Sequence, residues 1–197
     1  MAETTTLVTA KRLEGKVVVI TGGASGIGES TARLFSTHGP RVIIIADVQD
    51  DLGQDVAISF GQHVCTYIPC DVSDESQVKL LIDLTAQKYG RVDVMFNNAA
   101  KAMVSCGVRS IVCTTSAAAS IGSEQHWGSG HSFDCDAYGM DVKGIETMFS
   151  SACSLKGVAL NVKHVSDAVL FLASDESTFV SGLNLAVDSC FRLSALA

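Results

Sequence analysis

The 197-residue chain has no dense block of lysine or arginine, and its 14 basic residues are outnumbered by 21 acidic ones, for a formal charge of −7. A surface of that sign argues against nucleic acid or an anionic membrane as partner, so any phosphate it binds must be gripped locally. No apolar stretch approaches the roughly 18 to 20 residues of a membrane-spanning helix. The opening MAETTTLVTAKRLEGK has no apolar run of a secretory signal, and the expectation is a soluble cytoplasmic protein. The seven cysteines (65, 70, 106, 113, 135, 153, 190) include no C-x-x-C pair and mostly stand in apolar stretches, which fits a reducing compartment. His126, His131 and Cys135 share a Gly/Ser-rich stretch without a fourth ligand, so no metal is expected. There is no G-x-x-x-x-G-K-[ST] pattern, which argues against a P-loop nucleotidase. Internal repeats are absent as well.

What the chain does have is an alternation of short β-branched runs and amphipathic segments, enough for one core. Residues 1–12 are polar and Thr-rich and read as a flexible arm; 13–197 read as a single domain. Lys16–Ile20 (KVVVI) predicts a strand buried on both faces, and Ile27–Thr37 a helix stopped by Gly39-Pro40. Arg41–Ala46 predicts a second strand, Asp50–Phe60 a second helix, and His63–Pro69 a third strand. Ser73-Asp74-Glu75 caps a third helix whose apolar positions are Val78, Leu81, Ile82, Leu84 and Ala86. Val92–Phe96 and Ser110–Thr115 predict the fourth and fifth strands, His164–Ala173 a late helix, and Leu183–Val187 a last strand. Ala117–Cys135 reads as a loop and Tyr138–Cys153 as mixed helix. The fold class is α/β, a Rossmann-like doubly wound parallel sheet.

Thr21-Gly22-x-x-x-Gly26-x-Gly28 stands where the first strand turns into the first helix. Glycines there allow a tight turn and close approach of the backbone, and the helix N-terminus offers free N–H groups and a positive dipole end to a pyrophosphate. Asp47 follows Gly28 by 19 residues, at the end of the second strand. A carboxylate at that place accepts the hydroxyls of an adenosine ribose and repels a 2′-phosphate, which favours NAD over NADP. The alternative is that Asp47 merely begins a turn.

The run Thr21-Gly22-Gly23-Ala24-Ser25-Gly26-Ile27-Gly28, then Cys70-Asp71-Val72, then Asn97-Asn98-Ala99, resembles the short-chain dehydrogenase/reductase family. FLASDESTFVSGLNLAVD is similar to its plant NAD-dependent members of the secoisolariciresinol and xanthoxin dehydrogenase kind. The resemblance is continuous over residues 13–100 and returns in pieces beyond. It implies that Gly22, Ser25, Gly26, Ile27 and Gly28 hold the pyrophosphate of NAD, that Asp47 takes the ribose, that Asp71 and Val72 flank the adenine, and that Asn97, Asn98 and Ala99 line the cofactor floor. It also implies a small secondary alcohol or ketone as substrate, with Tyr138 exchanging the proton, Lys143 lowering the Tyr138 pKa, and Ser116 orienting the carbonyl. A homo-oligomer is left open.

The second half departs from that pattern. The family spaces its tyrosine and lysine by four residues; Tyr138 and Lys143 are five apart. At about 100° per residue, four positions leave two helical side chains roughly 40° apart and five leave them roughly 140° apart, so the lysine faces away unless a π-bulge restores the register. Asp141 would compete for the Lys143 charge. Two helices expected between residues 100 and 110, and a strand and lid expected after Cys153, have no counterpart. Three readings follow: an active oxidoreductase, a nucleotide-binding remnant impaired in catalysis, and a non-catalytic interaction partner of an intact relative.

Overall fold

The computed structural model describes residues 11–61, 63–99, 110–114, 141, 143, 144, 147, 151 and 160–188. Five strands, β1 (Val17–Thr21), β2 (Val42–Asp47), β3 (Cys65–Pro69), β4 (Val94–Asn97) and β5 (Ser110–Cys113), form one sheet in the order β3-β2-β1-β4-β5. Every pairing is parallel. The β-branched runs VVVIT and VIIIAD are buried at every residue, as central strands covered on both faces must be. Their side chains alternate between two cores. Val18, Ile20, Ile43, Ile45 and Phe96 pack with Phe35, Val56, Val169 and Leu170 on one face, and Val17, Val19, Ile44 and Met95 pack with Val78 and Leu81 on the other.

Helices α1 (Gly26–Ser36), α2 (Asp50–Phe60) and α4 (Val162–Ala173) supply the first face, and α3 (Glu75–Tyr89) the second. The doubly wound reading therefore holds over these elements. The ends of α3 are set by local chemistry. The Asp74 carboxylate accepts the Ser76 N–H at 2.9 Å and the Gln77 N–H at 3.4 Å, and Gly90 closes the helix at φ +84°. Its buried stripe is Val78, Leu81 and Thr85; Leu84 and Ala86, expected inside, are exposed, because they fall on the flank away from the sheet. Helix α4 begins two residues before His164, where the Asn161 side chain accepts the Lys163 and His164 N–H groups while His164 Nδ1 accepts the Asn161 N–H.

One expected element is corrected. Residues 183–187 form no strand: Leu183 is 53% and Leu185 44% exposed, after a turn closed by the Val180 N–H on the Ser177 carbonyl. A strand exists by pairing, and β5 has no second neighbour among the described residues. Tethers join the two ends of the described chain: Arg12 donates to Glu176 through Nε at 2.8 Å and through Nη2, and Lys16 Nζ reaches Asp175 at 2.7 Å and the Ala173 carbonyl at 3.0 Å. Among the described residues no helix is long and apolar enough to cross a membrane.

Candidate functional site

From β1 the chain passes to β2 and β3 on one side, while β4 and β5 lie on the other. The C-terminal ends of β1 and β4 therefore flank the crevice where an open α/β sheet binds its ligand. The glycine turn lies there. The Gly22 N–H donates to the Ala46 carbonyl at 2.8 Å, so the turn starts by clipping onto β2. Gly26 opens α1 at φ +54°, in left-handed space a side chain would strain. At Gly28 an added Cβ would stand 2.0 Å from the Gly22 carbonyl oxygen, so only glycine permits the helix to lie this close to the turn. Ser25, the residue before the helix, makes no side-chain capping bond. The first-turn N–H groups have no partner within the helix by geometry, and here no hydroxyl covers them from Ser25. Glu29, acidic and in the first turn, is neutralised by Arg33 at 2.7 Å.

Asp47 lies at the mouth of this turn and is 7% exposed. Its Oδ2 accepts the Ala24 N–H at 3.0 Å, while Oδ1 accepts the Val48 and Gln49 N–H groups at 2.8 and 3.1 Å and the Gln49 side-chain amide at 3.4 Å. The carboxylate thus joins the ends of β1 and β2 and begins a turn as well, both readings at once. A carboxylate has about four acceptor positions, and Oδ2 has one donor among the described residues. The Asp47 carbonyl accepts the Cys70 N–H at 3.0 Å, which brings the β3 end alongside. There Asp71 is exposed, with its Oδ1 accepting the Ser73 N–H at 2.8 Å and its own N–H on the Gln77 side chain at 2.9 Å; Val72 is half-buried.

The other wall is the β4 end. Asn97 is 2% exposed and donates through Nδ2 to Cys113 Sγ at 3.6 Å, while its buried Oδ1 has no hydrogen-bond partner among the described residues. The Asn98 side chain donates to the Gly22 carbonyl at 3.2 Å. Thr21 Oγ1 accepts both the Asn98 N–H at 3.1 Å and the Ala99 N–H at 3.2 Å, and Thr114 Oγ1 donates toward Asn98 at 3.3 to 3.4 Å. Thr21 and Thr114 were not among the expected site residues. Thr21 heads the glycine motif in the sequence, but its contact with Asn98 and Ala99, like that of Thr114 with Asn98, follows from the strand order, which places the β1, β4 and β5 ends side by side.

The residues expected around a nucleotide, from Gly22 through Ala99, are thus gathered at one end of the sheet. A dinucleotide suits what is there among the described residues: a helix start that the Ser25 side chain does not cap, a glycine with no room for a methyl group, and a carboxylate oxygen with a single donor, the Ala24 N–H. Of the residues expected to do chemistry, Ser116 and Tyr138 lie outside the described residues. Lys143 is exposed, and the Asp141 carboxylate accepts the Gly144 N–H at 2.8 Å. Burial, followed by the charges of Asp71 and Asp74, raises the Cys70 thiol beside the β3 end, and burial pushes the Cys65 thiol, at the start of that strand, up to about 12. Burial, then the hydrogen bond and charge of Asp50, raises the Tyr67 phenol in the same way. Among the described residues no group of three or more His, Cys, Asp or Glu converges for a metal.

Comparison with known proteins agrees with this geometry. The family model described as short chain dehydrogenase matches residues 16–118. Short-chain dehydrogenase reductase 3b of Arabidopsis thaliana is 38% identical over 252 residues, covering 93% of this chain and 98% of the relative. A (+)-cis,trans-nepetalactol synthase of Nepeta racemosa is 36% identical, covering 90% and 94%, and the mitochondrial (-)-isopiperitenol/(-)-carveol dehydrogenase of Mentha piperita is 35% identical, covering 92% and 95%. An alignment of 252 residues exceeds the 197 of this chain, so that relative carries internal segments that this one lacks.

Proposed function

Because the chain belongs to the short-chain dehydrogenase/reductase family, we propose that it binds NAD in the crevice between β1 and β4 and acts as a cytoplasmic oxidoreductase on a small secondary alcohol or ketone. The single observation that carries the nucleotide half is the joining of Asp47 to the glycine turn through the Ala24 N–H at 3.0 Å, which puts a ribose acceptor at the edge of a pyrophosphate cradle. Ser25, Gly26 and Ile27 would face the pyrophosphate with their amides, Asp71 and Val72 the adenine, and Asn97, Asn98 and Ala99 the ring end. Bound NAD would supply the hydride acceptor. Tyr138 would exchange the substrate proton, assisted by Lys143 and with Ser116 aligning the oxygen, roles taken from the family by position.

The chain's own departures favour a second reading, a nucleotide-binding protein with impaired turnover. The carrying observations are the five-residue step from Tyr138 to Lys143 and the internal segments present in the relative but not here. Titration with NAD and NADP while following thermal unfolding tests the shared part: a ligand at about 100 times its Kd stabilises by about 2.7 kcal/mol, which for this size raises Tm by roughly 5 to 11 °C. No shift with either nucleotide would sink both readings and leave the interaction partner. NADH formation with a panel of cyclic secondary alcohols separates the first two: turnover abolished in Tyr138→Phe selects the enzyme, and NAD binding without turnover selects the impaired protein.

A further inference from the structure

We propose that Asp50, and not Asp47 alone, sets the preference for NAD over NADP at this site. The inference rests on the nucleotide reading above and names a second specificity determinant within it. The Asp47 charge is already answered in the folded chain by the N–H groups of Ala24, Val48 and Gln49 and by the Gln49 amide. A carboxylate spread over four donors is a blunted repeller of a second phosphate.

Asp50 is placed otherwise. It opens α2, with Asp51 also in the first turn, immediately after the β2 end where the adenosine ribose is to lie. An uncapped helix start carries a positive dipole end and would welcome a 2′-phosphate. Gln49, in the capping position, makes no side-chain cap bond, so these acidic residues cancel that attraction. Asp50 is also held in place: its Oδ1 is 2.6 Å from the Tyr67 hydroxyl, which is 2.8 Å from the Asp47 carbonyl oxygen. A single hydroxyl therefore joins the Asp50 carboxylate to the backbone of Asp47. The Tyr67 ring is itself wedged against Gly53, where an added Cβ would meet its Cε2 at 2.2 Å. A fixed negative charge beside the ribose edge repels a phosphate without touching the hydroxyls that NAD presents.

The test compares Kd for NAD and for NADP by calorimetry in the full chain and in Asp50→Asn, which keeps an oxygen for the Tyr67 hydroxyl. NADP binding is expected to tighten about five-fold while NAD changes less than about two-fold, the size expected of one surface charge facing a phosphate across water. The gain should fade at roughly 1 M salt, where the Debye length is ~3 Å. Asp50→Glu, which retains the charge, should retain the wild-type ratio, and so should Asp83→Asn, which removes a carboxylate from the outer face of α3. An unchanged ratio in Asp50→Asn, with NAD still bound, overturns this inference and leaves the nucleotide reading standing. A wild-type chain that binds neither nucleotide overturns both, and one that already binds them equally overturns the preference. Equal changes in Asp50→Asn and Asp83→Asn would assign the effect to net charge and refute a role specific to Asp50.

Discussion

Replacing Gly26 and Gly28 by alanine separates two ways in which one turn uses glycine. At Gly26 the backbone sits at φ +54°, but an added Cβ meets nothing within 4 Å, so the methyl group costs only the left-handed conformation, about 1 to 2 kcal/mol. At Gly28 it would stand 2.0 Å from the Gly22 carbonyl oxygen, 2.8 Å from the Gly22 carbonyl carbon and 3.0 Å from Gly23 Cα, all backbone atoms. An ordinary contact to that oxygen is ~3.3 Å, so helix and turn must separate by more than an ångström, and overpacking of this kind costs about 3 kcal/mol against a helix-propensity gain of about 1 kcal/mol. The net loss of about 2 kcal/mol resembles that at Gly26, with Tm falling by roughly 4 to 8 °C in either variant. Their nucleotide responses should differ. Moving the α1 N-terminus off the turn removes the amides from a pyrophosphate, so Gly28→Ala should lose the NAD-dependent rise in Tm altogether, whereas Gly26→Ala should keep part of it. Differential scanning fluorimetry of both variants, with and without NAD, reads this directly. A Gly28→Ala chain that responds to NAD as the wild type does would refute the cradle.

Other parts of the fold give independent expectations. Asp93 is 2% exposed and its Oδ2 accepts the buried Val17 N–H at 2.9 Å and Arg91 Nε at 2.8 Å. Asp93→Ala should cost about 3 kcal/mol in urea unfolding, and a loss below 1 kcal/mol would show that the network carries no weight. Gly53→Ala should destabilise by about 1 to 2 kcal/mol because its methyl group collides with the Tyr67 ring; in a Tyr67→Ala background the same change should turn neutral or favourable. The Asp74 carboxyl is held below its usual range, first by the Ser76 hydroxyl and then by the Gln77 side chain. A lowered folded pKa contributes stability that is present above the unfolded value of about 4 and lost as pH falls through the folded one, so the Tm gap between wild type and Asp74→Asn should close as pH drops below about 4. A gap that stays constant down to pH ~2 would refute the lowered pKa of Asp74.

How much of this was legible in the chain depends on whether the signal was local. The runs VVVI and VIII identify central strands because burial on both faces leaves no polar alternation to confuse, and α2 was expected at Asp50–Phe60, where it is found. The glycine spacing and Asp47 are local too, each tied to the end of one strand. The bond from Ala24 to Asp47, the double acceptance at Thr21 and the reach of Asn98 to Gly22 depend on which strands are neighbours, and no window of sequence contains that order. The misplaced strand at 183–187 failed for the same reason. Its apolar alternation is real, but alternation gives a strand only where an edge is present to receive it, and the sequence does not state whether one is.

This division also bears on what the chain can do. Every residue proposed to hold the nucleotide lies between Gly22 and Ala99, at the ends of β1, β2, β3 and β4 and in the turns after them, over two cores, the first of which also takes in Val112 of β5 and Val169, Leu170 and Ala173 of α4. Every residue proposed to move a proton comes after residue 115. Binding and turnover therefore draw on different lengths of chain, and loss of one does not entail loss of the other. On the second reading, the Tyr-to-Lys step of five residues would damage turnover without disturbing a hydrogen bond of the nucleotide site. If deleting Asp141 restores NADH formation, the fault was one of helical register; if it does not, while NAD still raises Tm, the fault lies in the segments that the relative has and this chain lacks.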